Sequence, residues 1–379
     1  MCHIHNKLII HYCINCKNPI CESCKNGHIN HQIEDNNNFI PQEKIKIILE
    51  KVNEKKEHFK GTEILNKFIK RYLNERKFIS RKEEKINDKT IKKYYYLKEL
   101  KGHKDRVLSL IKLQSGWIAT GSYDSIIRIW IPEANFCFKE IQEIGAVQCL
   151  LEFEPDKILS GTTENNICLR DIHSENDDDY ICNYLGNYCV NCMVKCNDEC
   201  FASASNDCTI RIWDYYKRKE IREIKAHEDC IFSLIKLKNG NLYSAGADLS
   251  IKFWDWEKGL CLKAIKNAHI DSILSLIELN ERTLISSSSD KTIKIWKDYK
   301  YLETLNGHKN EVRTLCKIDD NYFASGSFDN KIKIWDLRQL NCFQTLEGHH
   351  SNVTTVIKLN NDSLASCSCD KTIIIWKQK

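Results

Sequence analysis

The sequence lacks the hydrophobic features that direct a chain into or across a membrane. No apolar run approaches the roughly 18 residues of a membrane-spanning helix. The first residues, from Met1 to His5, contain neither the basic region nor the apolar region of a secretory leader. We therefore expect a cytoplasmic protein with no membrane partner.

A block of one charge sign is missing as well. The chain has 57 Lys and Arg residues interleaved with 52 Asp and Glu residues, which gives a net charge of +5 over 379 residues. A dedicated nucleic-acid-binding protein would gather its basic residues into one segment or onto one face. The even distribution argues against nucleic acid as the partner.

Cysteine, by contrast, is abundant, with 20 residues distributed unevenly along the chain. Without a secretory leader, these thiols are expected to be reduced or bound to metal rather than paired in disulfides. Fifteen of them are spread over the later part of the chain, mostly in apolar runs, where Cys acts as a small buried hydrophobic residue. The other five lie within the first 24 residues, next to several histidines.

These N-terminal residues form four pairs with the spacing of zinc ligands, in a segment too short to build a core. The pairs are Cys2 and His5, Cys13 and Cys16, Cys21 and Cys24, and His28 and His31. They predict two structural zinc ions, each with four protein ligands and no open position for catalysis. The spacing alone leaves open whether successive or alternating pairs share an ion.

The order of the pairs resembles the B-box zinc finger, and residues 1–35 lack no ligand of that pattern. The resemblance implies alternating sites, with one ion on the first and third pairs and the other ion on the second and fourth. We therefore expect residues 1–35 to form a zinc-stabilised head.

Residues 41–89 have the composition and periodicity of a helix. The segment is rich in Lys and Glu, and it spaces apolar residues by three and four, as at Ile45, Ile48 and Val52. The spacing slips near Gly61, so the pattern predicts two helical segments. Two arrangements stay open: a solvated helical linker or helix pair, and a coiled coil that joins two copies of the chain in a homodimer.

From residue 94 to the C-terminus, the sequence repeats with a period of about 40 residues. Seven units result when the chain is aligned on six tryptophans and on Arg170, which restores the spacing. In five units a His lies 21 positions before an Asp, a hydroxyl residue lies four before that Asp, and a Trp lies six after it. These residues are His103, Thr120, Asp124 and Trp130; His227, Ser244, Asp248 and Trp254; His269, Ser286, Asp290 and Trp296; His308, Ser325, Asp329 and Trp335; and His349, Ser366, Asp370 and Trp376.

These units, together with runs such as Ile332–Asp336, resemble the WD-repeat family over about three quarters of the chain. The resemblance implies an all-β, seven-bladed β-propeller over residues 94–379, in which each repeat supplies four antiparallel strands. It also implies a hydrogen-bonded chain of His, hydroxyl, Asp and Trp inside each blade, because a buried imidazole and a buried indole N–H both need partners. We therefore expect these residues to be scaffolding, with no catalytic residue and no enzyme activity.

Two neighbouring units depart from the pattern. In the second, Glu143 and Glu164 stand at the His and Asp positions, while Ser160 stays in register. In the third, Gly186 replaces the His, while the hydroxyl, the Asp and the Trp are kept. We expect both units to form blades with weaker internal networks.

The ends of the repeat region predict how the ring closes. The segment 94–100 precedes the first unit, where the family places an outermost strand, and the last unit ends after Trp376 with only three strands. The resemblance implies that residues 94–100 complete the last blade and leave no open edge.

A second group of cysteines, at positions 189, 192, 196 and 200, also has short spacing. Alternate residues of a strand face opposite sides of a sheet, so these thiols are not expected to converge on one ion. We assign them to the blade rather than to a metal site.

The order of a B-box-like head, a helical segment and a β-rich domain is similar to that of tripartite-motif-like proteins, many of which are ubiquitin ligases. The catalytic RING finger that precedes the B-box in that family is missing from this sequence, in which Cys2 already opens the head. We therefore expect a non-catalytic adaptor or scaffold whose propeller binds protein or peptide partners. The alternative is a ubiquitin-ligase component, either a substrate receptor or a B-box ligase.

Partners of the WD-repeat family usually dock on the face with the loops into the first strand of each blade and the turns before each Asp. This implies the following partner-binding positions: Arg106, Tyr123, Asn206, Cys230, Ser272, Ser289, Glu311, Phe328 and Asn352. The set contains no arginine cluster of the kind that a phosphopeptide site needs.

Overall fold

The computed structural model describes residues 9–13, 18–21, 33–35, 93–174, 180–183, 189–280, 283–360 and 362–378. The chain consists of two compact units, Met1–Ile91 and Lys92–Lys379. The predicted helices at 41–89 and the predicted Gly186 position lie outside the described residues, and of the predicted zinc ligands only the backbones of Cys13 and Cys21 lie within them. Over the described ranges, no helix is long and apolar enough to cross a membrane.

The first unit contains a small antiparallel sheet. Its strands are β1 (Ile9–Cys13), β2 (Asn18–Cys21) and β3 (Ile33–Asp35), in the spatial order β2-β1-β3. Cys13 pairs with Ile33 at one end of β1, and Ile9 pairs with Cys21 at the other end. Cys13 and Cys21 therefore lie at opposite ends of the β1-β2 hairpin.

The second unit contains seven four-stranded antiparallel sheets, the blades of a β-propeller. Its first strand along the chain, β4 (Tyr94–Lys101), belongs to the last blade. Blades 1 to 3, from the channel outward, are β5 (Val107–Lys112), β6 (Ile118–Ser122), β7 (Ile126–Ile131) and β8 (Phe136–Gln142); β9 (Val147–Glu154), β10 (Lys157–Thr162), β11 (Asn166–Asp171) and β12 (Tyr180–Asn183); and β13 (Val190–Lys195), β14 (Cys200–Ser205), β15 (Thr209–Asp214) and β16 (Lys219–Lys225).

Blades 4 to 7 follow the same order. They are β17 (Ile231–Lys236), β18 (Leu242–Gly246), β19 (Ile251–Asp255) and β20 (Leu260–Ile265); β21 (Ile273–Asn280), β22 (Thr283–Ser288), β23 (Ile293–Lys297) and β24 (Lys300–Leu305); β25 (Val312–Lys317), β26 (Tyr322–Ser327), β27 (Ile332–Asp336) and β28 (Asn341–Leu346); and β29 (Val353–Asn360), β30 (Ser363–Ser368) and β31 (Thr372–Gln378) with β4 outermost. The predicted all-β, seven-bladed propeller is confirmed.

The innermost strands enclose a central channel. They contact one another in sequence from β5 through β9, β13, β17, β21, β25 and β29, and β29 contacts β5 again. The apolar core lies between blades: Val107 and Leu110 of blade 1 pack with Ala365 and Ile373 of blade 7. Neighbouring blades approach so closely that a Cβ at Gly121 would collide with a side chain of the next blade. Each blade is therefore held by its two neighbours.

Strand β4 closes the ring as predicted. It pairs antiparallel with β31, from Tyr94 opposite Gln378 to Lys101 opposite Thr372. The Tyr94 backbone N–H also donates a hydrogen bond to the side-chain oxygen of Gln344 in blade 6 at 2.9 Å. The two ends of the propeller are thus held in one sheet, which removes the open edge of blade 7.

In every blade, the residue directly after the Asp position of the repeat lies in the left-handed backbone region. These residues have φ angles between 62° and 72°, and they are Ser125, Asn165, Cys208, Leu249, Lys291, Asn330 and Lys371. This conformation costs about 1–2 kcal/mol for most residues with a side chain. The preceding Asp stabilises the turn, since Asp248 accepts a hydrogen bond from the Ser250 backbone N–H at 3.1 Å.

Candidate functional site

Five blades contain the hydrogen-bonded chain that the repeat predicts. In blade 4, His227 Nδ1 lies 2.8 Å from Asp248, His227 Nε2 lies 2.6 Å from Ser244 Oγ, and Trp254 Nε1 donates to the same Oγ at 2.8 Å. In blades 1, 5, 6 and 7, the His–Asp distances are 2.8–3.0 Å and the Trp–hydroxyl distances are 2.8 Å. The hydroxyl oxygen therefore accepts from the indole N–H and also lies within hydrogen-bonding distance of the imidazole Nε2.

This chain has the composition of a Ser-His-Asp triad, but its hydroxyl is enclosed. The five hydroxyl residues are 0% exposed: Thr120, Ser244, Ser286, Ser325 and Ser366. A nucleophile must reach the substrate carbonyl, which a hydroxyl buried between strands does not do. The repeated His, hydroxyl and Asp groups therefore belong to the scaffold.

Burial and hydrogen bonds shift the pKa values of several groups in these chains. Burial is the largest influence on His103 and His269, and it lowers the pKa of both below the usual 6.5. Burial opposes ionisation of Asp329, but hydrogen bonds from His308 and from the Lys309 backbone N–H outweigh it and lower the Asp329 pKa to about 2. Near neutral pH, these shifts favour a neutral imidazole at His103 and His269 and an ionised carboxylate at Asp329.

Blade 2 replaces the chain with a buried ion pair. Glu143 Oε1 accepts hydrogen bonds from Ser160 Oγ and Arg170 Nε, both at 2.8 Å, and Glu143 Oε2 accepts one from Arg170 Nη2 at 2.8 Å. The Glu143 and Arg170 side chains are 0% and 2% exposed. These three residues occupy the His, hydroxyl and Trp positions as predicted, whereas Glu164 is exposed. A buried ion pair with charge-assisted bonds thus replaces the usual chain in blade 2, and the weaker network expected there stays a prediction.

In blade 3, the described residues keep the Trp end of the chain. Trp213 Nε1 donates to Ser203 Oγ at 2.9 Å. Asp207 instead accepts a hydrogen bond from Arg211 Nη1 of its own blade at 2.5 Å, and Arg211 also pairs with Glu223 at 2.9 Å. In this blade, Asp207 therefore forms an ion pair with Arg211 within the sheet.

We use the name top face for the face of the propeller that contains the connections between blades and the turns between the second and third strands of each blade. On it, backbone hydrogen bonds join the two loops of one blade: Tyr123 N–H donates to the Arg106 carbonyl and Phe328 N–H to the Glu311 carbonyl, both at 2.9 Å. The same bond joins Ser289 to Ser272, Ala247 to Cys230, Cys369 to Asn352, and Asn206 to Cys189, at 2.8–3.1 Å.

The structure therefore brings all nine predicted partner-binding positions onto one face. Tyr123 is 55% exposed, and the Arg106 guanidinium lies 5.9 Å from the centre of its ring. Arg106 is exposed as well, and the other seven positions are half-buried. Whether these residues contact a partner stays a prediction.

Two apolar residues of the top face were missed by the sequence reasoning. Ile144 is 54% exposed and Ile270 is 86% exposed, and both directly follow the His position of their repeats. The signal was present in the sequence, since the blade 1 and blade 6 units have Lys104 and Lys309 at this position. An apolar residue at a position that accepts Lys indicates surface use rather than packing.

Seven bulged residues, one from each innermost strand, form a ring around the channel near the top face. Every innermost strand has one β-bulge after its first residue, and the bulged residues are Leu108, Gln148, Asn191, Phe232, Leu274, Arg313 and Thr354. A bulge takes its residue out of the ladder and redirects the side chain. Arg313 is the charged member of this ring, and sequence reasoning overlooked it because it lies inside a strand.

The second group of cysteines is built into blade 3. Cys196 and Cys200 lie in an apolar cluster, and the Cys196 N–H donates to the Cys200 carbonyl at 2.9 Å. Burial raises the pKa of Cys192 and of Cys196 to about 12, whereas metal binding requires thiolates. Within the described part of the chain, no group of three or more His, Cys, Asp or Glu side chains is arranged to hold a metal ion. The predicted zinc ligands Cys2, His5, Cys16, Cys24, His28 and His31 lie outside that part.

Known proteins that are similar to this chain include a curated relative and a solved structure. The target of rapamycin complex subunit LST8-1 of Arabidopsis thaliana is 33% identical over 100 residues, which are 26% of this chain and 32% of that protein. The chain thus spans about a third of that relative's length. The crystal structure of the WD40 β-propeller domain of Doa1 superposes with a TM-score of 0.67 at 20% identity, over 76% of this chain and 97% of the other. At that identity the likeness shows the fold alone.

The family model described as WD domain, G-beta repeat matches six segments, which together cover more than half of the chain. They are residues 94–130, 179–214, 218–255, 260–297, 299–336 and 340–377. The gap between the first two segments contains Glu143, Ser160 and Arg170, so the altered network of blade 2 coincides with the unmatched stretch. With six matched repeats in a closed ring of seven blades, the chain belongs to the WD40 repeat family.

Proposed function

We propose that this protein is a non-catalytic cytoplasmic adaptor whose propeller binds protein or peptide partners through its top face. The observation that carries the proposal is the exposure of Ile270, Tyr123 and Ile144 on that face, at 86%, 55% and 54%. Isolated apolar anchors among polar loops are typical of protein interfaces. The groups suited to chemistry are enclosed in the blades, which supports recognition rather than catalysis. LST8-1 is named as a subunit of a complex, which supports an assembly role for its relative.

A matched pair of variants tests the top face. Ile270→Asp changes an anchor of that face, and Leu262→Asp makes the same change on the outer strand of blade 4, where Leu262 is 56% exposed. Burial of an aliphatic side chain contributes about 1.5–3 kcal/mol, so the first change should weaken partner binding about tenfold or more. The tagged full chain and both variants are compared by quantitative affinity capture from cell extract.

The expected result is a set of proteins lost by Ile270→Asp and retained by Leu262→Asp. Both positions are exposed, so both variants should unfold at the wild-type temperature. Equal capture by the two variants, or loss only with Leu262→Asp, would contradict the top face as the binding surface.

We propose that the head binds two structural zinc ions in the alternating arrangement. The donors are the soft thiolates and imidazoles that zinc prefers. The register of the head sheet supports the alternating pairs: Cys13 pairs with Ile33, two residues beyond His31 in the chain, whereas Cys21 lies at the other end of the hairpin. Metal analysis of the purified chain should find two zinc ions, and Cys16→Ser should lose one of them. A zinc-free wild-type protein would contradict the head.

We further propose that residues 41–89 join two chains through a helical coiled coil. The three-and-four spacing of Ile45, Ile48 and Val52 supports this arrangement. Light scattering of the purified full chain should give the mass of two chains. A Val52→Asp variant should give the mass of one, and a monomeric wild-type protein would exclude the coiled coil.

The competing role is that of a ubiquitin-ligase component, which the order of head, helical segment and propeller supports. A purified adaptor should form no ubiquitin chains with activating and conjugating enzymes. Chains that depend on Cys21 or Cys24 would overturn the adaptor role.

A further inference from the structure

Three aromatic side chains form a cluster between blades 1 and 2 on the bottom face, which is the side of the ring opposite the top face. Trp117, in the turn between β5 and β6, has its ring centre 4.8 Å from that of Phe138 in β8 and 6.3 Å from that of His173 in blade 2. The Phe138 and His173 ring centres are 6.2 Å apart. Phe138 is 40% exposed, and the His173 side chain is 55% exposed. The cluster therefore presents aromatic surface to solvent.

An open cleft of about 360 Å³ lies beside these rings. It is lined by Phe138, Lys139, Ile172, His173 and Ser174. The Lys139 ammonium group donates a hydrogen bond to the Ser174 carbonyl, which ties it to one wall of the cleft. His173 Nε2 lies 3.1 Å from the Asp156 carboxylate, which orients the imidazole ring. The volume lies within the range of about 300–1,000 Å³ that is usual for ligand pockets.

Blade 6 contains an equivalent aromatic pair, and an arginine of the same blade lies over it. Tyr322 and Phe343 occupy the positions of Trp117 and Phe138 in the repeat, and their ring centres are 6.1 Å apart. The Arg338 guanidinium lies 5.3 Å from the centre of the Tyr322 ring. A guanidinium stacks on an aromatic face, and the negative charge of that face attracts it. The aromatic pair of blade 6 therefore already has a cation.

In blade 1, a carboxylate stands where blade 6 has this arginine. Glu133 lies five positions before Phe138, as Arg338 lies five positions before Phe343. Glu133 is exposed, and it forms no ion pair with the residues that the structure describes. Within the same described ranges, no cation lies over the Trp117 ring. The aromatic pair of blade 1 thus has an acidic neighbour and no cation of its own.

We propose that Trp117, Phe138 and His173 bind an arginine side chain of a protein partner on the bottom face. The guanidinium stacks on Trp117, since the indole is the aromatic ring that attracts cations most strongly. The exposed Glu133 carboxylate supplies the opposite charge. The inference goes beyond the proposed function, because it adds a second contact surface on the face opposite the loops assigned to partner binding.

The test follows the Trp117 ring by NMR in the full-length protein labelled with ¹⁵N-tryptophan. The indole N–H signal of Trp117 is assigned by its absence from Trp117→Phe. Three capped tripeptides are titrated at constant pH and ionic strength, with arginine, lysine or citrulline between two glycines. Citrulline has nearly the shape of arginine but no charge. The arginine peptide should shift the Trp117 signal and bind about threefold or more tightly than the lysine peptide. The citrulline peptide should leave the signal in place.

A matched pair of variants separates this cluster from its counterpart in blade 6. Phe138→Leu removes one aromatic wall and should weaken binding of the arginine peptide about two- to fivefold, followed on the Trp117 signal. Phe343→Leu makes the same change in blade 6 and should bind as the wild type does. Leucine keeps an apolar side chain at both positions, so both variants should melt near the wild-type temperature.

A third variant gives blade 1 the cation that blade 6 has. Glu133→Arg places a guanidinium at the position equivalent to Arg338, and this guanidinium should occupy the Trp117 ring. The Trp117 signal of the free variant should therefore move toward its place in the peptide-bound wild type. Binding of the arginine peptide should fall about fivefold or more.

Several results would overturn the site. They are a Trp117 signal unmoved by the arginine peptide, an equal shift with the citrulline peptide, equal affinity for the lysine peptide, and equal weakening by Phe138→Leu and Phe343→Leu. Unchanged peptide affinity in Glu133→Arg would do the same. Capture of partners by way of Ile270 is measured on the opposite face, so the arginine site and the proposed adaptor role fail separately.

Discussion

Replacing Arg170 by Met should destabilise the propeller strongly, because it removes half of a buried ion pair. Arg170 donates two hydrogen bonds of 2.8 Å to Glu143, whose side chain is 0% exposed. In the variant, the carboxylate keeps the Ser160 hydroxyl, at 2.8 Å, and the Cys168 thiol as neighbouring donors inside the blade, but no cation. Removing one partner of a buried pair typically costs about 3–5 kcal/mol.

A second substitution in the same blade separates the charge from the packing. The double variant Glu143→Gln with Arg170→Met removes both charges, so about half or more of the lost free energy of unfolding should return. Arg211→Met makes the same change at the pair with Asp207 in blade 3, where the Arg211 side chain is 16% exposed. Both side chains of this pair keep part of their surface in contact with water, so this control should lose clearly less free energy of unfolding than Arg170→Met.

Urea unfolding followed by tryptophan fluorescence measures all four proteins. With a slope of about 3 kcal/mol per molar urea, a loss of about 3–5 kcal/mol should lower the midpoint of Arg170→Met by about 1–1.7 M. A loss below about 1 kcal/mol would refute the reasoning, since that is the range of exposed pairs. A double variant as unstable as the single one would also refute it.

Three further predictions concern the blades and their closure. Lowering the pH below about 6.5 should reduce the melting temperature. The pKa values of His103 and His269 are lowered in the folded chain, so the unfolded chain binds protons there that the folded chain does not. A constant melting temperature between pH 7 and pH 5 would contradict this. Replacing Leu249, which has φ of 62°, by Asn should raise the free energy of unfolding by about 0.5–1 kcal/mol in urea; an unchanged value would show no strain there. Deleting all residues before Lys101 removes β4 and should lower the melting temperature by about 10 °C or more, whereas a chain that begins at Lys92 should melt as the full propeller does.

The fold could be predicted because the His, hydroxyl, Asp and Trp residues of the repeat recur at the same positions of successive blades. The counted spacing from Glu143 to Ser160 to Arg170 located the blade 2 network, and the three-stranded last unit predicted the place of β4. The chemistry of that network could not be predicted in the same way. Whether two side chains pair depends on rotamers and distances that register does not contain.

Prediction from sequence register has the same limit on the top face. Sequence positions placed Arg106 and Tyr123 on it, because loops and turns recur with the repeat. Arg313 could not be found by that rule, since a bulge in the innermost strand turns a strand residue toward the channel. Ile270 could have been found from the sequence. A comparison of the residues directly after the His of each repeat identifies it as an apolar residue among polar residues.

Site-specific photo-cross-linking in living cells tests the top face most directly as the recognition surface. A photoreactive phenylalanine analogue replaces Ile270 in one full-length protein and Leu262 in another, and cross-linked proteins are identified by mass spectrometry. Cross-linked partners at position 270 and none at position 262 are the predicted result. Partners captured at position 262 while position 270 stays free would contradict the top face as the binding surface of this propeller.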